Sequence, residues 1–336
     1  MPLPLSVLDL APVASGATSA QTIRDSLALA RLCDRLGYTR YWFAEHHNMP
    51  MIAATTPALL IALAAPGTER IRLGAGGVML PNHSPLQVAE AYRMLAALWP
   101  GRIDLGLGRA PGTDGATALA LRRSREALGA NDFQEQLSEL LSFSGAGFPA
   151  GHPFHGVRAM PEDAPLPPLW LLGSSGYSAQ LAAQIGRGFG FAAHFSPEEP
   201  DGPMLNYRAR FRPGALPRPH AILALAVICA DTTKEAERLA ASMQLAWVRV
   251  RQGRIEALPS PEEALAHHYS PAERAIVEVY KRMQIVGDPE SVKARIEKVV
   301  ARTYADEVMV ATVTHDPAAR RHSYELLAQT FALPAA

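Results

Sequence analysis

The stretch 70–113, RIRLGAGGVMLPNHSPLQVAEAYRMLAALWPGRIDLGLGRAPGT, reads as strand, helix and strand in quick succession. Ile71, Leu73 and Ala75 lead into Gly76-Gly77, and Val78-Met79-Leu80 run on to a stop at Pro81. Val88, Ala91, Tyr92 and Leu95 keep helical spacing and predict a helix over 85–98. Pro100-Gly101 end it, and 103–108 reads as a second strand that delivers Arg109. A parallel α/β protein binds its ligands where strands end, and glycine there lets a ligand approach the backbone. The stretch is therefore either the floor of a cofactor site or a pair of ordinary glycine turns. It is not the dinucleotide fingerprint, because Pro111 holds the place of the third glycine after Gly106-Leu107-Gly108. The turn also follows a late strand rather than the first, so a nicotinamide Rossmann site is disfavoured.

The same rhythm extends in both directions. Strands are expected at 5–10, 39–44, 169–172, 189–193, 221–229 and 307–313, with helices at 20–36, 57–66, 132–143, 204–211, 234–251 and 317–331. A helix opens after strand five and runs to Ile185, and another starts at Asp288-Pro289-Glu290 with a cap and a first-turn proline. Eight strands alternating with helices favour a parallel sheet with right-handed crossovers. Eight units favour a closed α/β (β/α)8 TIM barrel over the alternative, an open doubly wound sheet. No linker separates two halves, so 1–336 is expected to form one barrel domain. Two stretches break the rhythm, 145–168 and 253–284. Both are read as insertions at the C-terminal mouth, over the strand ends.

Bulk properties narrow the function classes. The chain has 336 residues, 48% of them hydrophobic, enough for a large core. Lys+Arg and Asp+Glu number 32 each, so the footprint of a nucleic-acid binder is absent. Cys33 and Cys229 fall in a helix and an apolar strand and read as buried thiols rather than a disulfide. The start, MPLPLSVLDLAP, lacks a basic leader region, and the apolar run AILALAVICA is too short to span a membrane. A cytoplasmic protein is the expectation.

Function in a barrel sits at the C-terminal strand ends. Those ends carry Glu45, His46, His47 and Asn48, then Gly76 and Gly77, then Arg109, then the turn Gly173-Ser174-Ser175-Gly176-Tyr177-Ser178, then His194. The serine turn lies between a strand and a helix, so free N–H groups, hydroxyls and the helix dipole converge there. It reads either as a monophosphate site completed by the planar fork of Arg109 or as simple N-capping by Ser175 or Ser178. Adjacent His46 and His47 point to opposite faces, so one of them faces the mouth. Without HExxH or a third spaced ligand, no metal is expected. A general acid/base histidine and a hydrogen-bonded structural histidine both fit. Glu45 reads as orienting a neighbouring histidine or pairing with an arginine. His194 reads equally as a site or a rim residue. No G-x-S-x-G elbow is present.

Taken together, YWFAEHHN, RIRLGAGGVMLPNHSPLQVAE, GRIDLGLGRAPGTD and LWLLGSSGYSAQLAAQIG resemble the bacterial luciferase-like flavin-dependent monooxygenases, and most closely the single-gene alkanal monooxygenase-like group. The likeness covers most of the chain. It implies a (β/α)8 barrel that binds FMN, reduced by a separate NAD(P)H-flavin reductase, and uses O2 on a small organic substrate through a peroxyflavin. A deazaflavin-dependent hydride-transfer enzyme and a non-catalytic flavin-binding protein are the alternatives the same barrel allows. The resemblance places a non-proline cis peptide at Gly76-Gly77 under the flavin ring. It assigns phosphate contacts to Arg109, Ser175 and Ser178, and catalysis to His46. Ser174, Gly176 and Tyr177 complete the expected cofactor set. Gly108 stands where the light-emitting members carry a reactive cysteine, so bioluminescence is doubtful. Relatives dimerise through the second and third helices, and substrate choice is expected to depend on 145–168 and 253–284.

Overall fold

A computed structural model describes residues 3–110, 112–123, 132–145 and 147–335. These residues hold nine parallel strands: β1 (Leu5–Asp9), β2 (Arg40–Phe43), β3 (Arg72–Met79), β4 (Ile103–Gly108), β5 (Leu169–Gly173), β6 (Gly188–Ala192), β7 (Ala221–Cys229), β8 (Gln284–Gly287) and β9 (Glu307–Ala311). β1 to β7 pair in sequence, β7 pairs with β9, and β9 returns to β1. That closes an eight-strand ring, the (β/α)8 barrel expected from the alternation.

Alternation along each strand sorts the side chains. Tyr41, Phe43, Leu105, Phe189 and Phe191 point outward into the large core beneath the helices. Leu8, Trp42, Ala44, Trp170, Ile222, Ala224, Met309 and Ala311 point inward and fill the barrel. Trp42 and Trp170 meet there edge to face at 5.7 Å. The layer below is ionic. Arg40 bonds to Glu307 at 2.9 Å and Asp104 at 2.8 Å, and Arg72 reaches Asp104 at 2.6 Å. Ser6 donates to Glu307, and His220 approaches it at 3.3 Å. The N-terminal end is thus closed by charge, and the C-terminal end opens above apolar residues.

Helices α1 (Ser19–Arg35), α2 (Pro57–Ala64), α3 (Pro85–Leu98), α4 (Gly115–Arg122), α5 (Phe133–Ser144), α6 (Gly176–Gln184), α7 (Asp201–Arg210), α8 (Thr233–Arg251), α9 (Pro261–Ala266), α10 (Pro271–Arg282), α11 (Pro289–Thr303) and α12 (Pro317–Thr330) follow their caps. Side chains of Thr18, Asp114, Thr232, Ser260, Ser270, Asp288 and Asp316 accept from first-turn N–H groups. Among the described residues no helix is long and apolar enough to cross a membrane.

Three features depart from the sequence reading. First, the segment 145–168 does not lie over the strand ends. Gln134 at the start of α5 bonds to Tyr177 at the C-terminal ends, so α5 finishes at the opposite, N-terminal face. From there the chain packs outside the barrel. Phe148 meets Phe143 edge to face and Phe154 meets it at a tilt, and Arg93 of α3 donates to the carbonyls of Glu162 and Ala164. A helix-to-strand connection belongs at that face, and its Pro/Gly composition carried no directional signal. Second, the mouth insertion is longer than 253–284. α11 packs beside α7 and α12 and is the barrel helix that follows β7, whereas α8 packs on α9, α10 and β8. The amphipathic period of α8 could not say which surface it covers. Third, β8 was missed. It pairs with the C-terminal half of β7, Ala226–Cys229, through only four residues. The insertion is sewn to the far side of the mouth as well, because Leu258 exchanges backbone hydrogen bonds with Val13 and Ser15.

Candidate active site

Inward alternation continues past the end of β2, and β6 ends in a turn that carries a second histidine. Trp42 and Ala44 face the barrel interior, and His46 is the next position on that face. Gly190 and Ala192 are inward on β6, and His194 follows in a turn closed by the Ser196 N–H on the Ala192 carbonyl, its ring bonded to the backbone of Ala224 on neighbouring β7. β2 and β6 stand four places apart in the eight-strand ring, so the two histidines face each other across its axis. The Nδ1 atoms of both are buried and have no hydrogen-bond partner among the described residues. Burial holds His46 below the ordinary histidine value, aided by His47 and opposed by Glu45. Burial, and then the charge His46 would carry, push His194 down to about 4. Both rings are therefore neutral near pH 7.

Glu45 and His47 lie on the other face of the same segment. The Glu45 carboxylate is buried and bonds to His47 Nε2 at 2.9 Å, to His83 Nε2 at 2.8 Å and to the Met79 N–H at 3.1 Å. Burial raises its pKa, but the hydrogen bonds from His83 and His47 outweigh that and keep the carboxyl below the usual range. Glu45 thus orients histidines rather than pairing with an arginine, and the ones it holds are His47 and His83, not His46. His83 carried no sequence signal; it reaches Glu45 because β2 and β3 are neighbours. Asn48 bonds to Asp114, and Thr113 to the His47 carbonyl, which ties the β2 and β4 loops together. Pro111 lies outside the described residues.

The Gly76-Gly77 peptide is cis. A Cβ on Gly76 would stand 2.6 Å from Leu8 Cδ1, and one on Gly77 would stand 2.7 Å from the Gly106 carbonyl oxygen and from Leu172 Cδ1. Backbone packing therefore requires glycine at 77, whereas at 76 only the end of the Leu8 side chain would have to move, a constraint distinct from the bare backbone surface that a flat ring would use.

Arg109 and the serine turn come together beside this peptide's strand. The Arg109 guanidinium lies 4.3 Å above the Tyr177 ring. Ser175 is the N-cap of α6 but makes no side-chain cap, so the first-turn N–H groups keep their donors. Ser178 does not cap either. It is buried and donates to the Leu172 carbonyl at 3.0 Å, bracing the end of β5. Ser196 braces the turn from the other side through the Ser174 carbonyl. Arg109, Ser174, Ser175, Gly176 and Tyr177 thus share one surface, with Ser178 in the wall beneath them. Exposed Gly176 has open space at its Cβ position. Uncapped N–H donors and a guanidinium beside them form a cradle that fits a phosphate.

A cavity of about 320 Å³ opens on the opposite rim, at the ends of β1 and β9, where Ser15 Oγ meets His315 Nε2 at 3.1 Å.

A model of the luciferase-like monooxygenases matches residues 3–307. A luciferase-like monooxygenase of Escherichia coli K12 is 44% identical over 322 residues, covering 96% of this chain and 95% of its own. The N-acetyl-S-alkylcysteine monooxygenase of Bacillus subtilis is 34% identical over 330 residues and 96% of each chain. The solved structure of apo-MsnO8 superposes with a TM-score of 0.90 at 38% identity, over 99% of both chains. The barrel, its sequence and its relatives agree: this chain belongs to the luciferase-like monooxygenase family.

Proposed function

We propose that the protein is the oxygenase component of a two-component, FMN-dependent monooxygenase that acts on a small organic substrate with O2. The observation that carries this reading is the uncapped serine turn after β5, whose Tyr177 lies under Arg109 at the end of β4, with the Gly76-Gly77 peptide on the next strand, β3. Arg109, the Ser175 hydroxyl and the first N–H groups of α6 bind the terminal phosphate. The Gly76-Gly77 backbone supports the flavin ring. Bound reduced flavin supplies the electrons that activate oxygen. The chain's own residues do the rest. The apolar barrel interior and the insertion from β7 through β8 exclude water. His46, neutral and with a free Nδ1, moves a proton at the substrate. A separate NAD(P)H-flavin reductase supplies the reduced flavin. The protein works in the cytoplasm as a homodimer, joined through the apolar residues exposed on α2 and α3.

The test is anaerobic titration with reduced FMN, then mixing with oxygen in the presence of aldehydes, alkanes or sulfur compounds. Binding of reduced FMN, with oxygen consumption coupled to an oxygenated product, is expected. Preference for a reduced deazaflavin, with hydride transfer and no oxygen use, would replace the reading with its nearest alternative. Binding of FMN without substrate-dependent oxygen use would leave a flavin carrier.

A further inference from the structure

We propose that His194 is a second histidine of the reaction site, paired with His46 across the barrel axis so that a proton on His46 opposes a second proton on His194. The placement carries it. The two residues follow the ends of opposite strands, at the mouth above one apolar layer that includes Ala44, Leu172 and Ala224, and His194 bonds to the Ala224 backbone. Each keeps a buried Nδ1 with no partner among the described residues. A buried polar atom without a partner is costly, and two of them converging on one opening point to a ligand group that both can reach. Phe195 packs edge-on against His194, with 4.8 Å between the ring centroids.

The charges around the pair decide the order of protonation. Glu45 and His47, from the end of β2, act on His46 in opposite senses. His46 and the Ala224 carbonyl of β7 act on His194, the first against its charged form and the second for it. The charge on His46 acts against His194, whereas His46 answers to Glu45 and His47, so His46 is expected to take a proton first. Burial and that charge then disfavour a second proton, so His194 remains a neutral hydrogen-bonding imidazole until about pH 4. The two rings thus have separate duties. His46 exchanges the proton, and His194 holds the substrate's hydrogen-bonding group opposite it. The substrate this suits is a small, largely apolar molecule with one hydrogen-bonding head. The assignment deepens the functional reading above and places the pair at the same site, but its test uses flavin-free protein.

The experiment is a proton titration of the histidine ring resonances by NMR, in the wild type and in the variants His46→Asn and His194→Asn, each lost signal assigning its residue. In the wild type, His194 titrates after His46, near 4. In His46→Asn the repulsion is gone, and the His194 midpoint rises by about half a pH unit or more. In His194→Asn the His46 midpoint hardly moves, because His194 is neutral when His46 titrates. An unmoved His194 midpoint in His46→Asn overturns the pairing. Should that variant not fold, the wild type decides alone: His194 titrating with or before His46 overturns it equally. Loss of FMN binding with the coupling intact would sink the functional reading and spare the pair, and the reverse result would do the opposite.

Discussion

The guanidinium carbon of Arg109 lies over the ring of Tyr177, 4.3 Å from its centroid. The Tyr177 hydroxyl accepts a hydrogen bond from Gln134 at 3.0 Å, which holds the ring in place. An arginine stacked this way is pre-aimed, and its planar fork suits a phosphate better than a lysine's point charge. Arg109→Lys is expected to weaken FMN binding about tenfold, and Arg109→Ala by up to about a hundredfold, from the worth of charge-assisted hydrogen bonds. Riboflavin has no phosphate, so its affinity should change little in either variant. Parallel fluorescence titrations with FMN and riboflavin measure this, and an equal loss for both would remove Arg109 from the phosphate.

Gly76 and Gly77 should not tolerate alanine equally. The atom that a Cβ on Gly76 would strike is the Leu8 Cδ1 methyl, the end of a side chain with other rotamers. On Gly77 it would strike the Gly106 carbonyl oxygen, which is fixed in the barrel wall by strand pairing. Overpacking costs about 1–3 kcal/mol, depending on what can yield. Gly76→Ala is expected at the low end and Gly77→Ala at or beyond the high end. Urea denaturation of both gives the order, and equal losses would contradict it.

The gap between what the chain spelled out and what it concealed follows from range. The barrel strands and the caps were legible because alternation, proline and capping residues act over a few positions. Ala221–Cys229 was read to the residue for that reason. The cis peptide was legible only through likeness to the family, since nothing in two glycines specifies an isomer. His83 on Glu45, and His194 opposite His46, depend on strands 38 and 148 residues apart in sequence becoming neighbours or opposites in the ring. The direction of 145–168 and the position of α8 were hidden likewise, because periodicity marks a helix without naming what it packs on.

The ionic layer at the closed end makes a pH prediction. Burial alone would raise the pKa of Glu307, but Arg40, with help from His220 and Ser6, holds it below the usual range. A carboxyl depressed in the folded state adds stability above its unfolded value, about 4.3. That stability is lost as pH falls through the lower folded value. Glu307→Gln leaves Arg40 with only Asp104 and should cost about 3 kcal/mol at pH 7, the usual loss for breaking a buried pair. It should also flatten the acid limb of the stability curve below pH 4.3. Thermal or urea unfolding across pH reads both, and an unchanged acid limb would show that Glu307 is not the group responsible.

The exposed face of α2 and α3 gives the last prediction. Leu59, Leu63, Met94 and Leu98 are each more than half exposed, at 64, 57, 57 and 64%. α2 and α3 pack side by side, so the four residues form one apolar surface rather than scattered points. Contiguous apolar surface of this kind marks a contact between molecules, and a symmetric pair of copies would bury it twice. None of the four packs into the barrel, so charge can be placed there without emptying the core. Leu63→Glu with Leu98→Glu is expected to convert a dimer to a folded monomer, and far-UV circular dichroism should be unchanged. Sedimentation equilibrium distinguishes the states. A wild type that sediments as a monomer, or a double variant that remains dimeric, would move the interface elsewhere. Reduced FMN binding should survive in the monomer, because Arg109 and the serine turn lie at the ends of β4 and β5, in one copy of the chain.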